Sequence, residues 1–113
     1  MNEKIFTHVI ESHIEWSKET FPLATADGAL IHASKEIEEL RLEIKRASQS
    51  NNPDEFKEHQ LEELADVFGC MVDAATRLGF NHFDISRAMY LKLQKNKARK
   101  WKSNGDGSYS HIK

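Results

Sequence analysis

The stretch "LADVFGCMVDAA", residues 64–75, decides the fold, because it is the most apolar part of the chain. Apolar residues on both sides of it continue a spacing of three and four, the pattern of one face of an amphipathic helix. Pro53 and Asp54 mark a helix start before it, and Gly79 marks a stop after it. We therefore predict a helix over about residues 54–79. Its apolar stripe is Phe56, Leu61, Leu64, Val67, Phe68, Met71, Val72, Ala75 and Leu78.

Three further amphipathic helices are predicted outward from this one. They should cover residues 3–19, about 28–48 and about 85–101. Either Thr25 or Asp27 could cap the second of them. No stretch has the alternation of a strand, and the Gly- and Ser-rich end, residues 103–113, should be irregular. Four such helices joined by short loops predict an all-α fold, an antiparallel four-helix bundle.

Length and composition limit the class of protein. A chain of 113 residues is the size of one domain, so we predict a single domain over residues 1–113. The one cysteine, Cys70, lies in the apolar run, which excludes a disulfide framework and a cysteine zinc motif. Charges interrupt the N-terminal residues, so we expect no signal peptide, no membrane span and a soluble, cytoplasmic protein. Four short helices can leave apolar surface uncovered, which favours a homo-oligomer, either a dimer or a tetramer.

Acidic residues inside the apolar run need an explanation. Glu63 and Asp66 are one helical turn apart, and Asp73 lies two turns beyond Asp66 on the same side. A carboxylate is costly to bury unless a partner compensates its charge. A divalent cation is the simplest such partner.

A second acidic block lies in "HASKEIEEL", residues 32–40, where Glu36 and Glu39 are again one turn apart. At about 100° per residue, His32, Glu36, Glu39 and Glu43 share a sector of roughly 60° beside the apolar face. Alone, this strip would most often be a solvated face. Paired with the block on an antiparallel neighbouring helix, it supplies four or more oxygen ligands, a set that suits Mg²⁺ or Mn²⁺.

A di-iron bundle is the competing kind of metal site. Such bundles carry Glu-x-x-His on two helices. None of the six histidines has a glutamate three residues before it. The di-iron interpretation is therefore disfavoured.

The positive charge is concentrated near the C-terminus. Residues 1–86 hold 17 acidic and 8 basic residues, whereas residues 87–113 hold 1 acidic and 8 basic residues. Lys92, Asn96 and Arg99 recur at four and three along the fourth helix, and this edge could hold a polyphosphate. A solvated helix and a nucleic-acid surface are the alternatives. Nucleic acid is less favoured, because single strands are usually gripped by exposed aromatic residues and we expect those here to pack.

Together, the blocks "KEIEEL" (35–40), "EELADV" (62–67) and "KLQKNKARKW" (92–101) resemble the MazG-like all-alpha nucleoside triphosphate pyrophosphohydrolases. That family's signature is Glu-x-x-Glu followed by Glu-x-x-Asp. The chain is similar to the bacterial and phage dATP/dGTP pyrophosphohydrolase branch, whose pattern appears here as Thr20, Phe21, Gly28, His32, Lys35, Glu36, Glu39, Lys92, Asn96, Arg99 and Trp101. It departs from that branch at Leu64 and Ala65, where the branch has a tryptophan, and many MazG proteins place a glutamate at position 35.

The resemblance implies an enzyme that hydrolyses a nucleoside triphosphate, dATP or dGTP in this branch, to the monophosphate and pyrophosphate. It implies Mg²⁺ as cofactor, with Mn²⁺ as a substitute. The implied metal ligands are Glu36, Glu39, Glu63 and Asp66, and either Glu39 or Glu63 would also orient the attacking water or take its proton.

The remaining roles that the resemblance implies concern the nucleotide. Lys92, Asn96 and Arg99 would hold the triphosphate. His32 and Trp16 are candidates to contact the base, and Asp73 could be an outer metal ligand or orient a lysine. Two alternatives stay open: a sibling enzyme that acts on another nucleotide, and a non-catalytic helical module that binds nucleic acid or protein through its basic fourth helix.

Overall fold

The computed structural model describes residues 3–113, so residues 1 and 2 of the predicted domain lie outside the described part. Within residues 3–113 the protein has four α-helices and one two-stranded antiparallel sheet, which confirms the all-α class. The elements are α1 (Glu3–Thr20), α2 (Ala26–Ser48), α3 (Lys57–Arg77), α4 (His82–Lys97), β1 (Trp101–Ser103) and β2 (Tyr109–His111). Within residues 3–113, none of the helices combines the length and the apolar composition that a membrane span requires.

Local chemistry explains where the two central helices begin and end. Thr25 caps α2, because its Oγ1 accepts a hydrogen bond of 3.0 Å from the backbone N–H of Gly28. Pro53 opens a short 3₁₀ turn, Pro53–Phe56, that leads into α3. Gly79 follows α3 with φ of +93°, a conformation that glycine adopts without steric cost. The predicted positions of α2 and α3 are therefore correct to within a few residues.

The chain forms two compact units, and the first, which ends at His82, contains the core. In this unit α2 packs mainly against α3, and α1 also contacts α3. The buried residues are Ile10 and Ser17 on α1, Ala33, Leu40 and Ala47 on α2, and Cys70, Val72 and Ala74 on α3. Most are small, which lets the helix backbones approach closely. Ala33, Leu40 and Ala47 recur every seven residues, so they lie along one line of α2.

Side-chain contacts give the helix directions within this unit. His59, in the first turn of α3, contacts Glu43 in the second half of α2. Glu63, one turn further along α3, contacts Glu36, which lies earlier in α2, so the two helices are antiparallel. Along α1, Phe6, His13 and Ser17 contact Phe68, Asp73 and Arg77 of α3 in the same order, so α1 and α3 are parallel.

The second unit, Phe83–Lys113, corrects two predictions. First, α4 ends at Lys97 rather than near residue 101, because the chain turns where the indole of Trp101 donates a hydrogen bond of 3.0 Å to the carbonyl of Asn96. Second, the end of the chain, residues 103–113, is not wholly irregular. Its β1–β2 hairpin pairs Trp101 with His111. Gly105 and Gly107 have φ of +83° and +90°, which suits the tight turn between the strands.

Candidate active site

Three carboxylates from two helices meet on one side of the α2–α3 pair. Glu36 and Glu39 project from adjacent turns of α2, and Glu63 faces them from α3. One oxygen from each lies within 4.8 Å of the other two. Oε2 of Glu63 is buried and has no hydrogen-bond partner within the described residues. A buried, unsatisfied oxygen in a cluster of three acids fits a divalent cation, which takes oxygen ligands and compensates negative charge.

The crowding of these acids changes the protonation of Glu63. Its pKa is raised from the ordinary value of 4.5 to about 7. The largest cause is a hydrogen bond shared with the Glu36 carboxyl, followed by burial and then by the negative charge of Glu36. Without a cation, the protein therefore holds a proton between these two carboxyl groups near neutral pH. A bound cation would take the place of that proton.

His59 extends the acidic cluster, although it was not predicted from the sequence. Its Nδ1 lies 2.5 Å from Oε2 of Glu43, and its Nε2 lies 3.4 Å from Oε1 of Glu63. The hydrogen bond to Glu43 is the main cause that raises the pKa of His59. Its position in the sequence could have indicated this role, because His59 stands four residues before Glu63 and residues four apart share a helix face.

Asp66, the predicted fourth ligand, does not join the cluster of three. Among the described residues, that cluster consists of Glu36, Glu39 and Glu63. Asp66 instead lines an adjacent cavity, and its negative charge still contributes to the raised pKa of Glu63. The structure thus brings three of the four predicted ligands together and places the fourth beside them.

A cavity of about 500 Å³ lies next to the carboxylates, among α1, α2 and α3. This volume is in the usual range for small-molecule sites. The cavity is lined by aromatic, small and polar residues: His13, Trp16, Phe21, Ala24, Gly28, Ala29, His32, Ala65, Asp66, Gly69, Cys70 and Asp73. All three predicted nucleotide residues, His32, Trp16 and Asp73, are among them. His32 also lies 3.5 Å from Oε1 of Glu36, so it adjoins both the cavity and the acidic cluster.

Aromatic rings form one wall of the cavity. Trp16 packs edge to face with Phe21, with ring centroids 5.3 Å apart, and its ring lies 5.8 Å from that of His13. Gly69 makes room for the His13 ring, because a Cβ at position 69 would lie 3.1 Å from His13 Cε1. Cys70 lines the cavity too, and burial, followed by the charge of Asp73, raises the pKa of its thiol.

A polar network connects the cavity to the core. His13 Nε2 lies 2.9 Å from Oδ1 of Asp73, and Arg77 Nη1 lies 3.7 Å from the same oxygen. Arg77 also donates hydrogen bonds to Ser17 Oγ at 2.8 Å and to the carbonyls of Ser17 and Phe21, both at 3.1 Å. Ser17 is fully buried. Asp73 was predicted from the sequence, whereas His13 and Arg77 were not, although Arg77 lies one helical turn after Asp73.

The predicted phosphate-binding residues belong to the second unit, Phe83–Lys113. Lys92 and Asn96 are one turn apart on α4, and Arg99 follows the end of that helix. Arg99 Nη1 donates a hydrogen bond of 3.3 Å to Oδ1 of Asn96. Arg99 and Asn96 therefore form a small polar group. The phosphate-binding role of these residues stays a prediction.

Comparisons with known proteins identify the family and the fold. A family model described as dATP/dGTP pyrophosphohydrolase matches residues 9–113. The fold is also similar to a solved structure described as the cyanophage S-2L MazG-like pyrophosphohydrolase bound to dGDP and three catalytic Mn²⁺ ions per active site. That match has 27% sequence identity and a TM-score of 0.67, and it covers 95% of this chain and 97% of the other. No curated protein matches. The resemblance that the sequence motifs indicated is confirmed.

Proposed function

The chain belongs to the dATP/dGTP pyrophosphohydrolase family, and from this premise we propose that it converts dATP or dGTP to the monophosphate and pyrophosphate with Mg²⁺ as cofactor. It is a nucleoside triphosphate pyrophosphohydrolase, which disfavours the alternative of a non-catalytic helical module. One observation carries the proposal: an unsatisfied, buried carboxylate cluster lies beside a cavity with aromatic walls. Because the substrate is a cellular nucleotide, we place the enzyme in the cytoplasm.

Glu36, Glu39 and Glu63 are the proposed metal ligands, with Asp66 as the fourth. The fit rests on the three clustered carboxylates and the unpartnered Oε2 of Glu63. Bound Mg²⁺ would supply positive charge for the phosphate oxygens and a water of lowered pKa. The cyanophage relative binds Mn²⁺ at its active site, which supports a divalent cation here and makes Mn²⁺ a candidate substitute.

The attacking water needs a group that orients it and accepts its proton. Glu39 and Glu63 are the candidates. Glu39 is the exposed member of the cluster and can face a ligand, whereas Glu63 faces it from α3 and has one oxygen, Oε2, without a partner among the described residues. Either carboxylate can hold the proton while the bond between the α-phosphate and the leaving pyrophosphate breaks.

The nucleotide itself is assigned to two groups of residues. Lys92, Asn96 and Arg99 are proposed to bind phosphate oxygens, and the contact between Arg99 and Asn96 supports a shared role. Trp16 and His32 are proposed to contact the base, because both line the cavity beside the carboxylates. The dGDP bound to the cyanophage relative supports a purine in this position.

Substitution of the carboxylates tests the assignment. We expect Glu39→Gln to lower pyrophosphate release by about 10²–10⁴-fold, the usual contribution of a positioned acid or base, and Asp66→Asn, which alters a proposed metal ligand, to lower it as well. Pyrophosphate is measured with a nucleotide panel in Mg²⁺ and in Mn²⁺, and circular dichroism checks helicity. Glu38→Gln is the matched control, since Glu38 is an exposed acid of the same helix. Wild-type turnover in both ligand variants would show that the site is misassigned.

A further inference from the structure

Asp73 places a carboxylate in the largely enclosed wall of the cavity. Its side chain is 18% exposed and lines the cavity among aromatic and small residues. Among the described residues it is not part of the three-carboxylate cluster. Enclosing a carboxylate is costly, and an apolar residue of similar size would often be as stable. Its contacts with His13 and Arg77 both involve Oδ1, so the carboxylate keeps acceptor capacity that these structural contacts do not use.

The carboxylate of Asp73 is held in one orientation from two sides. His13 Nε2 lies 2.9 Å from Oδ1, and the ring of His13 is confined by Trp16 and by the space at Gly69. Arg77 approaches the same oxygen to 3.7 Å.

Arg77 is itself anchored, because it donates to the hydroxyl and carbonyl of the fully buried Ser17. Because His13 and Arg77 hold it in place, the Asp73 carboxylate presents a hydrogen-bond acceptor in a fixed orientation to the cavity. A carboxylate offers roughly four acceptor positions, so the two contacts at Oδ1 leave capacity for a ligand.

The hydrogen-bonding edges of the two purines differ at the atoms that such an acceptor would meet. Guanine presents two adjacent donors, N1–H and the N2 amino group, which match the two oxygens of a carboxylate. Adenine presents an unprotonated N1, an acceptor that a carboxylate repels. A site built around one hydrogen-bonding pattern rejects analogues that lack it far more strongly than an apolar pocket does.

We propose that Asp73, oriented by His13 and Arg77, accepts hydrogen bonds from N1–H and the N2 amino group of guanine and thereby makes the enzyme prefer dGTP over dATP. This inference rests on the proposed function and deepens it. Asp73 contacts the base in this arrangement, whereas His13 and Arg77 are positioning residues that act through Asp73.

The test measures kcat/KM for pyrophosphate release from three triphosphates: dGTP, dATP and the hypoxanthine analogue dITP. For the wild type we expect dGTP to exceed dATP by roughly a hundredfold, with dITP, which keeps N1–H alone, in between. In Asp73→Asn the amide offers a donor as well as an acceptor, so the dGTP/dATP ratio should fall to within about threefold. Glu58→Gln, an exposed acid of α3, is the control and should keep the wild-type ratio.

The outcomes separate base recognition from other roles. A wild type without preference, or an Asp73→Asn variant that loses activity on both purines at an unchanged ratio, would overturn the inference. If Asp73→Asn does not fold, His13→Gln keeps the acid but removes its orientation, and an unchanged ratio in that variant would equally overturn it. A second readout is calorimetric binding of dGMP and dAMP in EDTA, where the wild type should favour dGMP.

Failure of the proposed function would look different. It would appear as no pyrophosphate release from any triphosphate with Mg²⁺ or Mn²⁺. The binding arm in EDTA does not depend on turnover, so a preference for dGMP there would still support base recognition by Asp73, and equal binding would overturn it.

Discussion

The Glu63 carboxyl is unfavourable for the stability of the metal-free protein but is well suited to bind a cation. Its carboxyl is pressed against Glu36, and its Oε2 is left without a partner within the described residues. In the protein without metal, ionising this group places a second negative charge beside the first. A proton or a cation relieves the repulsion, and the two therefore compete for the same oxygen atoms. The thermal stability of the protein should therefore depend on both pH and Mg²⁺.

The pH dependence of stability provides a prediction at this scale. The pKa of Glu63 is about 7 in the folded protein and near 4.5 when unfolded, so between these values the folded state binds the proton more tightly. Stability then falls as pH rises from about 4.5 to about 7. We expect the Tm measured in EDTA to fall over this window and Mg²⁺ to raise it at pH 8.

Glu63→Gln is the control for this experiment, because glutamine cannot ionise. Its Tm in EDTA should vary less with pH, and its response to Mg²⁺ should be smaller. His59 also has a raised pKa, and its contribution is lost as pH rises further, so a residual slope above pH 6.5 is expected in both proteins. Equal slopes below that pH in wild type and variant would contradict the assignment.

At the scale of elements, α2 and α3 were predictable because a three-and-four spacing of apolar residues reports directly on a buried helix face. The same spacing placed Glu36, Glu39 and Glu63 correctly on facing sides. It could not find His13, since a single histidine on α1 has no pattern, and only the parallel packing of α1 on α3 brings it to Asp73. The end of α4 was missed for a related reason: the contact of Trp101 with Asn96 is specific to the fold and leaves no periodic signal.

The start of α2 offers a prediction about an element. Thr25 satisfies the N–H of Gly28 there, and the turn that follows carries the cavity residues Gly28, Ala29 and His32. Thr25→Ala removes the acceptor and should lower the free energy of unfolding by about 1 kcal/mol. Urea denaturation followed by circular dichroism measures this. Thr25→Ser keeps the hydroxyl and should lose much less, so equal losses in both variants would argue against the cap.

Viewed as a whole molecule, the protein exposes much apolar surface. On α1, Ile5, Phe6 and Val9 are each at least half exposed, and Leu61 and Leu64 on α3 are exposed by 68% and 54%. Large exposed apolar patches usually mark interaction surfaces. The sequence predicted an oligomer on the simpler ground that four short helices cover each other incompletely. We propose that the protein is a homo-oligomer and that these exposed apolar side chains take part in its interface.

Introducing a charge on α1 tests the oligomer. Val9→Glu places a carboxylate on a side chain that is 55% exposed, and burying it at an interface would be unfavourable. We expect the wild type to elute as a dimer or tetramer, and Val9→Glu to shift towards the monomer, in size-exclusion chromatography with light scattering. Glu15→Gln, on an exposed position of the same helix, should leave the mass unchanged. A monomeric wild type would refute the proposal.

The raised pKa of Cys70 has a practical consequence. Oxidants and alkylating reagents attack the thiolate, and burial beside Asp73 keeps this thiol in its protonated, unreactive form. Cys70 is also the single cysteine in the sequence, so no second thiol in the chain can pair with it. We therefore expect Cys70 to react more slowly with peroxide and alkylating reagents than an exposed cysteine would.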